Sequence, residues 1–481
     1  MTAFKLEPTS ARRTPPSYRV MTRDGTTNAA IANGTTECIL GHHVCIDYHA
    51  LEHFYLKALE FEHIDLLLLA GVVMFVDRKC HRSQTFGWAR EFDITMQVHD
   101  PDRWMAQAVR SKLESALCFL TGDTWHFRFT RRTVDEVGHR HLPLVPRSAI
   151  RPIVLPFSGG LDSFAALRMV ADDPDVLPVV VTARHGGGRW RKLRGGMQTV
   201  GADCELRTIS GVEVPIRLRI GEHPERSCRA RMFEFFSVAA VTAFLADTSD
   251  IVVPEAGQGS LAVNVIPSAY QSPPRGTHPG FSRRFASFLH ALLGISFRFD
   301  HRFLWQTKGE TLTQLRERGL ASGWQTARSC AQKLYRRPNG AGVRSHCGVC
   351  ANCLLRRVSL MAADLDSETE IEPYMWHDLS APTIKESLHP RFKHLVTRVS
   401  DEKSATSAVH LYQDVAQASL LPDVHLSLQQ TAYEAASALS ITPPLALEKL
   451  RTLLDHHRRE WTMFLSQLPS RSWVVQRAGD G

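Results

Sequence analysis

The chain has 481 residues, 43% apolar and 22% charged, the proportions of a globular protein with material for two or three domains. Its net charge of +8 is dispersed rather than blocked, which favours anionic partners such as nucleotides and does not by itself indicate nucleic acid. The longest apolar run, Leu66 to Val76, is shorter than the roughly 20 residues a membrane crossing needs. With a polar, proline-broken stretch over residues 1–20, no membrane partner and a cytoplasmic location are expected. Ten cysteines in a reducing compartment point to metal ligands and packing residues rather than disulfides.

Residues 1–45, rich in Thr, Pro, Arg and Asn, read as a loose arm. Next come an apolar element at Leu66–Phe75, an alternating strand at Phe92–Val98, an amphipathic helix over Asp102–Leu120 and a second alternating strand at Trp125–Phe129. A proline-bearing linker at 135–147 closes this N-terminal α+β domain, residues 1–148. Then the pattern changes. Apolar runs at 153–155, 179–181 and 251–253 alternate with helical stretches, among them the strongly apolar Met232–Ala246. That alternation predicts an α/β domain on a parallel sheet, residues 149–362. Residues 363–481 read as helical, with Thr442 capping a helix that opens Pro443-Pro444 and places Leu447, Leu450, Leu454, Trp461 and Leu465 on one face.

The strongest local signal is Ser158-Gly159-Gly160-Leu161-Asp162-Ser163, between an apolar strand and a helix. Paired glycines allow positive φ and close backbone approach, and the amides heading the helix make a nest for an anion. The Ser158 and Ser163 hydroxyls add donors, while Asp162 repels a bare phosphate and is better suited to hold Mg²⁺. The Gly-Lys-Ser/Thr of a Walker loop is absent. The pattern resembles that of PP-loop ATP pyrophosphatases, in which the loop binds the β,γ-pyrophosphate of ATP.

Downstream, Cys347, Cys350 and Cys353 supply three thiols at Cys-x-x-Cys spacing, and Cys330 is the nearest fourth. Four thiolates make a closed, structural Zn²⁺ site; an iron–sulfur cluster is the alternative, although the ferredoxin continuation is missing. Cys38, His42, His43 and Cys45 are spaced poorly for a second metal.

A phosphate loop of this form followed by Cys330 and Cys347-x-x-Cys350-x-x-Cys353-x-x-Arg356 resembles the QueC (7-cyano-7-deazaguanine synthase) family over residues 150–362. Arg229-Ala230-Arg231-Met232-Phe233 and Thr307-Lys308-Gly309-Glu310 look like further segments of that family. The resemblance implies that Arg229, Arg231 and Lys308 lie near the phosphates, with Asp162, Lys308 and Arg231 serving the chemistry. It also implies ATP, Mg²⁺ and Zn²⁺ as cofactors, and ATP-dependent adenylation of a carboxylic acid resembling 7-carboxy-7-deazaguanine, with release of pyrophosphate and later AMP.

The segment 254–264 departs from the family, which puts the acid's identity in question; Glu255, Gln258 and Asn264 are the candidates for reading a purine-like edge. The added length resembles the long QueC-like proteins of bacterial anti-phage operons, the QatC type. That likeness implies transfer of the activated acid to an amine on a partner protein from the same operon. Three other readings stay open: plain nitrile synthesis with ammonia, tRNA modification using the basic loop Arg184–Arg194, and a nucleotide-binding scaffold of a defence complex. Nucleic acid is not required by the first two features, the loop and the cysteines.

Overall fold

The structure is a computed structural model that describes residues 15–25, 34–48, 51, 59–83, 88–132, 151–182, 210–222, 225, 227–261, 274–331, 345–366, 374–392 and 397–479. The 135–147 linker, the basic loop 184–194 and Asn264 lie outside these residues. The stretch 1–45, expected as a loose arm, is corrected in part: Ser17–Asp24 and Thr35–Leu40 are strands, paired with each other in one sheet.

Two sheets organise the chain. The first has six strands: β1 (Ser17–Asp24), β2 (Thr35–Leu40), β3 (Val44–Ile46), β4 (Glu91–Val98), β5 (Thr124–Arg131) and β9 (Ile216–Leu218), in spatial order β5-β4-β1-β2-β3-β9. Its strands pair in parallel except at the β3–β9 edge. An α+β reading implies strands segregated from helices in an antiparallel sheet, so the N-terminal part is corrected to a mainly parallel arrangement. Helix α1 (Phe61–Lys79) is buried on all sides from His63 to Asp77, which explains why its apolar run shows no amphipathic stripe. The single helix expected over 102–120 is two, α2 (Pro101–Met105) and α3 (Gln107–Thr121), broken at Ala106, whose ψ of 130° is not helical.

The second sheet is wholly parallel, with β6 (Arg151–Phe157), β7 (Val176–Thr182), β8 (Ser210–Glu213), β10 (Asp250–Val252) and β11 (Arg298–Asp300) in the order β11-β10-β6-β7-β8. Alternate residues face opposite layers, as a strand's period of two requires. Val154, Val179, Val181 and Ile251 join the core beneath α5 (Arg231–Leu245), while Ile153, Leu155, Val180 and Val252 join the core of α4 (Leu161–Ala171) and α8 (Lys308–Glu317). Both faces are covered, which accounts for the apolar runs without alternation.

The 148/149 boundary divides the chain but not the core. Strand β9 joins the first sheet, and α5 packs on α1, so one apolar core runs through both parts. A buried ionic cluster ties them as well. Arg90 Nη2 donates to Asp77 Oδ1 (2.6 Å) and Asp123 Oδ2 (2.7 Å), Arg82 pairs bidentately with Asp123, and Asp77 Oδ2 accepts the Ala230 amide just ahead of α5.

The remaining helices are α6 (Gly257–Leu261), α7 (Pro279–Leu293), α9 (Ala351–Ala362), α10 (Val399–Ala418), α11 (Leu426–Leu439), α12 (Pro443–Ser466) and α13 (Trp473–Gly479). The C-terminal part is helical as expected. Thr442 is the N-cap residue of α12 with proline in the first turn, but its side chain makes no capping hydrogen bond. No helix among the described residues is long and apolar enough to cross a membrane.

Arg90 is fully buried between two carboxylates. Arg90→Met should therefore lose about 3–5 kcal/mol of stability, the cost of orphaning a buried charge. Urea denaturation checks this, and a loss within the ordinary surface range would mean that the cluster is hydrated.

Candidate active site and metal centre

All elements of the site meet at one edge. In a parallel sheet the loops after each strand gather at the carboxyl ends, where open α/β folds place ligands. The 158–163 loop follows β6, Glu255 follows β10, and Lys308 follows β11. Helix α5 precedes β10 in the chain, with Arg231 as its first residue and Arg229 two positions before it.

The loop has the shape its glycines permit. Gly159 sits at φ +76°, and the amides of Leu161, Asp162 and Ser163 head α4, where no intrahelical carbonyl reaches them. Ser158 Oγ lies 3.2 Å from Ser163 Oγ and accepts the Gly160 amide, while Ser163 Oγ donates to Gly160 O. These hydroxyls hold the turn, with Ser158 exposed and Ser163 buried.

Lys308 Nζ lies 2.7 Å from Asp162 Oδ2, and the other carboxylate oxygen, Oδ1, has no hydrogen-bond partner among the described residues. Glu255 is the third charge. Burial, reinforced by Asp162 and opposed by Lys308, pushes its carboxyl up to about 7. Burial pulls the Lys308 ammonium down, but Asp162 and Glu255 outweigh it and the net shift is upward. A Cβ at Gly259 would lie 2.3 Å from Glu255 Oε1, so a larger residue there would displace the Glu255 side chain.

Gln258 was expected to read substrate, but its amide is already engaged. Oε1 accepts the Lys308 amide (2.8 Å) and Nε2 lies 2.9 Å from His457 Nδ1. That corrects its role from contact to support. Arg229 lies over the Trp88 ring, 5.1 Å from its centroid, with Arg82 on the same ring at 4.7 Å. Arg231 is exposed and acts on Glu234 and Cys228.

Several supporting residues come from α12, of which the sequence singled out only the apolar face. The Thr307 hydroxyl donates to Glu460 Oε1 while accepting the Glu310 amide, and His456 contacts Glu310. His457 and Glu460 lie on the buried stripe with Leu450, Leu453, Leu454, Trp461 and Phe464. Two polar residues on an apolar stripe were the available signal.

The four cysteines converge, with ligand atoms all within 4.8 Å of one another. Tetrahedral Zn–S bonds of about 2.3 Å set sulfurs about 3.8 Å apart, and Cys347 Sγ lies 3.7 Å from Cys353 Sγ. This spacing could hold one metal ion such as zinc, whereas an iron–sulfur cluster needs several metal atoms between the thiolates. Gly348, at φ +91°, makes the turn; a Cβ there would lie 2.5 Å from Trp376 O. The cysteines form the one such group among the described residues: Cys38 is buried in the sheet core and His43 Nδ1 accepts the Ile39 amide.

The metal centre adjoins the loop. Between Trp324 and Cys330 the chain passes the 158–163 loop, where the Arg328 amide donates to Gly159 O. Arg356, fully buried on α9, donates to Ala327 O (3.1 Å) and lies over Trp324.

Two outcomes follow. Purified protein should contain one metal ion per chain by elemental analysis, and Cys350→Ser should lose it together with several degrees of Tm; full metal retention would contradict the ligand set. Burial raises the Glu460 carboxyl to about 8, with Thr307 opposing and Glu310 adding. Its stabilising contribution is thus complete below its ordinary value of 4.5 and is lost as pH rises to about 8. Glu460→Gln mimics the protonated form, so its Tm relative to wild type should climb across that window and level off above it. A pH-independent difference would show that Glu460 ionises normally.

Comparison with family models, with curated proteins and with solved structures finds no match for this chain, so the reading of the site rests on its own residues.

Proposed function

We propose that the chain is an ATP-dependent ligase of the PP-loop type that converts a carboxylic acid into its acyl-adenylate. The observation that carries the reading is the meeting of Lys308 with Asp162 beside Glu255, at the head of α4 and the Ser158–Ser163 turn. In this reading the amides of 161–163 and the two serine hydroxyls receive the β,γ-phosphates. Lys308 stabilises charge that develops on pyrophosphate as the acid's oxygen bonds to the α-phosphorus and the bond to the leaving pyrophosphate breaks. Mg²⁺, for which the unpartnered Oδ1 of Asp162 is a fitting ligand, would supply charge neutralisation at the phosphates. An amine then attacks the acyl carbon and AMP leaves.

Glu255 is the carboxylate available to accept an N–H of a deazaguanine-like acid. Zinc is the proposed metal at the cysteines, in a structural role, because four protein ligands leave no open position. The resemblance in residues 150–362, with the additional N- and C-terminal parts, supports the QueC-like family and an amine on a protein of the same operon, in cytoplasmic anti-phage defence. Nitrile formation with ammonia is the alternative fate of the same adenylate.

Wild-type protein with MgATP and 7-carboxy-7-deazaguanine should catalyse acid-dependent exchange of labelled pyrophosphate into ATP. Asp162→Asn should lower the exchange by about a hundredfold or more while leaving the fold intact. Exchange that survives Asp162→Asn would refute the assignment. ATP binding without exchange, for this acid or related ones, would favour the scaffold reading.

A further inference from the structure

Lys308 is the first residue of α8, and its backbone amide is one of the donors that a helix leaves without an internal acceptor. Its neighbours are served locally: Glu310 Oε2 takes the Thr307 amide, Thr307 Oγ1 the Glu310 amide, and Thr307 O the Thr311 amide. The Lys308 amide is served from a distance, by Gln258 Oε1 of α6.

That bond settles the orientation of everything behind it. A backbone N–H only donates, so the Gln258 oxygen faces Lys308 and its NH₂ faces His457 Nδ1, 2.9 Å away. An NH₂ only donates, so Nδ1 accepts, and the imidazole is neutral with its proton on Nε2. Nε2 in turn lies 3.1 Å from the carbonyl oxygen of Tyr412, which can only accept. Each member has one consistent role, and a protonated imidazole would place two donors face to face at Gln258. Burial holds His457 down at about 4, in agreement. The path therefore runs from α10 through α12 and α6 to the residue that pairs with Asp162.

We propose that His457 is a positioning residue: through Gln258 it holds the Lys308 backbone where its ammonium meets Asp162, so that helix α12 is part of the nucleotide site. This extends the nucleotide reading above and rests on it.

Two substitutions separate the two ring nitrogens. In His457→Asn the side-chain oxygen stands near the place of Nδ1 and keeps the acceptor for Gln258. In His457→Gln the amide nitrogen stands near the place of Nε2 and keeps the donor to Tyr412. Affinity for MgATP is read by calorimetry, and protection of the Lys308 amide by hydrogen exchange. His457→Gln should weaken MgATP by about tenfold and expose the amide, while His457→Asn stays within about twofold of wild type and keeps the protection. Gln258→Met, which removes both amide contacts at similar length, should behave like His457→Gln. Equal behaviour of the two histidine variants, or protection unchanged in Gln258→Met, would overturn the proposal. A wild-type protein that fails to bind MgATP would refute the nucleotide reading instead, and amide exchange would still decide the positioning role.

Discussion

The ion pair between Lys308 and Asp162 imposes the constraint around which this molecule is built. A buried ammonium is tolerable only where carboxylates compensate it, and two carboxylates are tolerable together only beside a cation. Lys308 is buried, Asp162 lies 2.7 Å away, and Glu255 is close enough to shift both ways with them. The three residues lie at or just before the starts of three helices, α4, α6 and α8. They meet because the strands before them, β6, β10 and β11, run parallel as neighbours in one sheet and deliver their following loops to one edge. A nucleotide bound there would exchange one set of compensating charges for another, which is how a site can be both stable when empty and receptive to phosphate.

The rest of the chain holds that edge in place. On one side, the four-cysteine cluster, which could hold a metal ion such as zinc, takes in Cys330, and the Arg328 amide two residues before it donates to Gly159 O of the loop. Since such a site does not exist in the unfolded chain, a metal bound there would contribute directly to folding, and through it to the shape of the loop wall. On another side, α12 reaches Thr307, Glu310 and Gln258 with Glu460, His456 and His457. The N-terminal part contributes more remotely, with Asp77 holding the Ala230 amide ahead of α5.

Much of this was legible beforehand, and for physical reasons. Glycine-rich turns between a strand and a helix are local, and the 158–163 loop lies between β6 and α4 as its residues indicate. Cysteine spacing is likewise local, and the fourth member, Cys330, was found because few thiols remained nearby. What was not legible depends on long-range packing. β9 lies nearly two hundred positions from strands such as β1, yet it extends their sheet, and no local pattern records that pairing. The full burial of α1 hid its helical period. His457 and Glu460 were passed over because a polar residue on a long helix usually faces water, and their partners are contributed by α6 and the start of α8. For the same reason Gln258 was taken for a substrate contact; the two ends of its amide find their partners only in the folded chain.

The central claim is that phosphates bind at the edge where Lys308 and Asp162 meet. It is tested most directly by a crystal structure of the protein soaked or grown with magnesium and a non-hydrolysable ATP analogue. The account predicts that the β,γ-phosphates sit on the amides of 161–163, with the metal on Asp162 and the Lys308 ammonium turned from the carboxylate toward phosphate oxygen. Density for the nucleotide elsewhere, or a Lys308–Asp162 pair unchanged at saturating analogue, would contradict it.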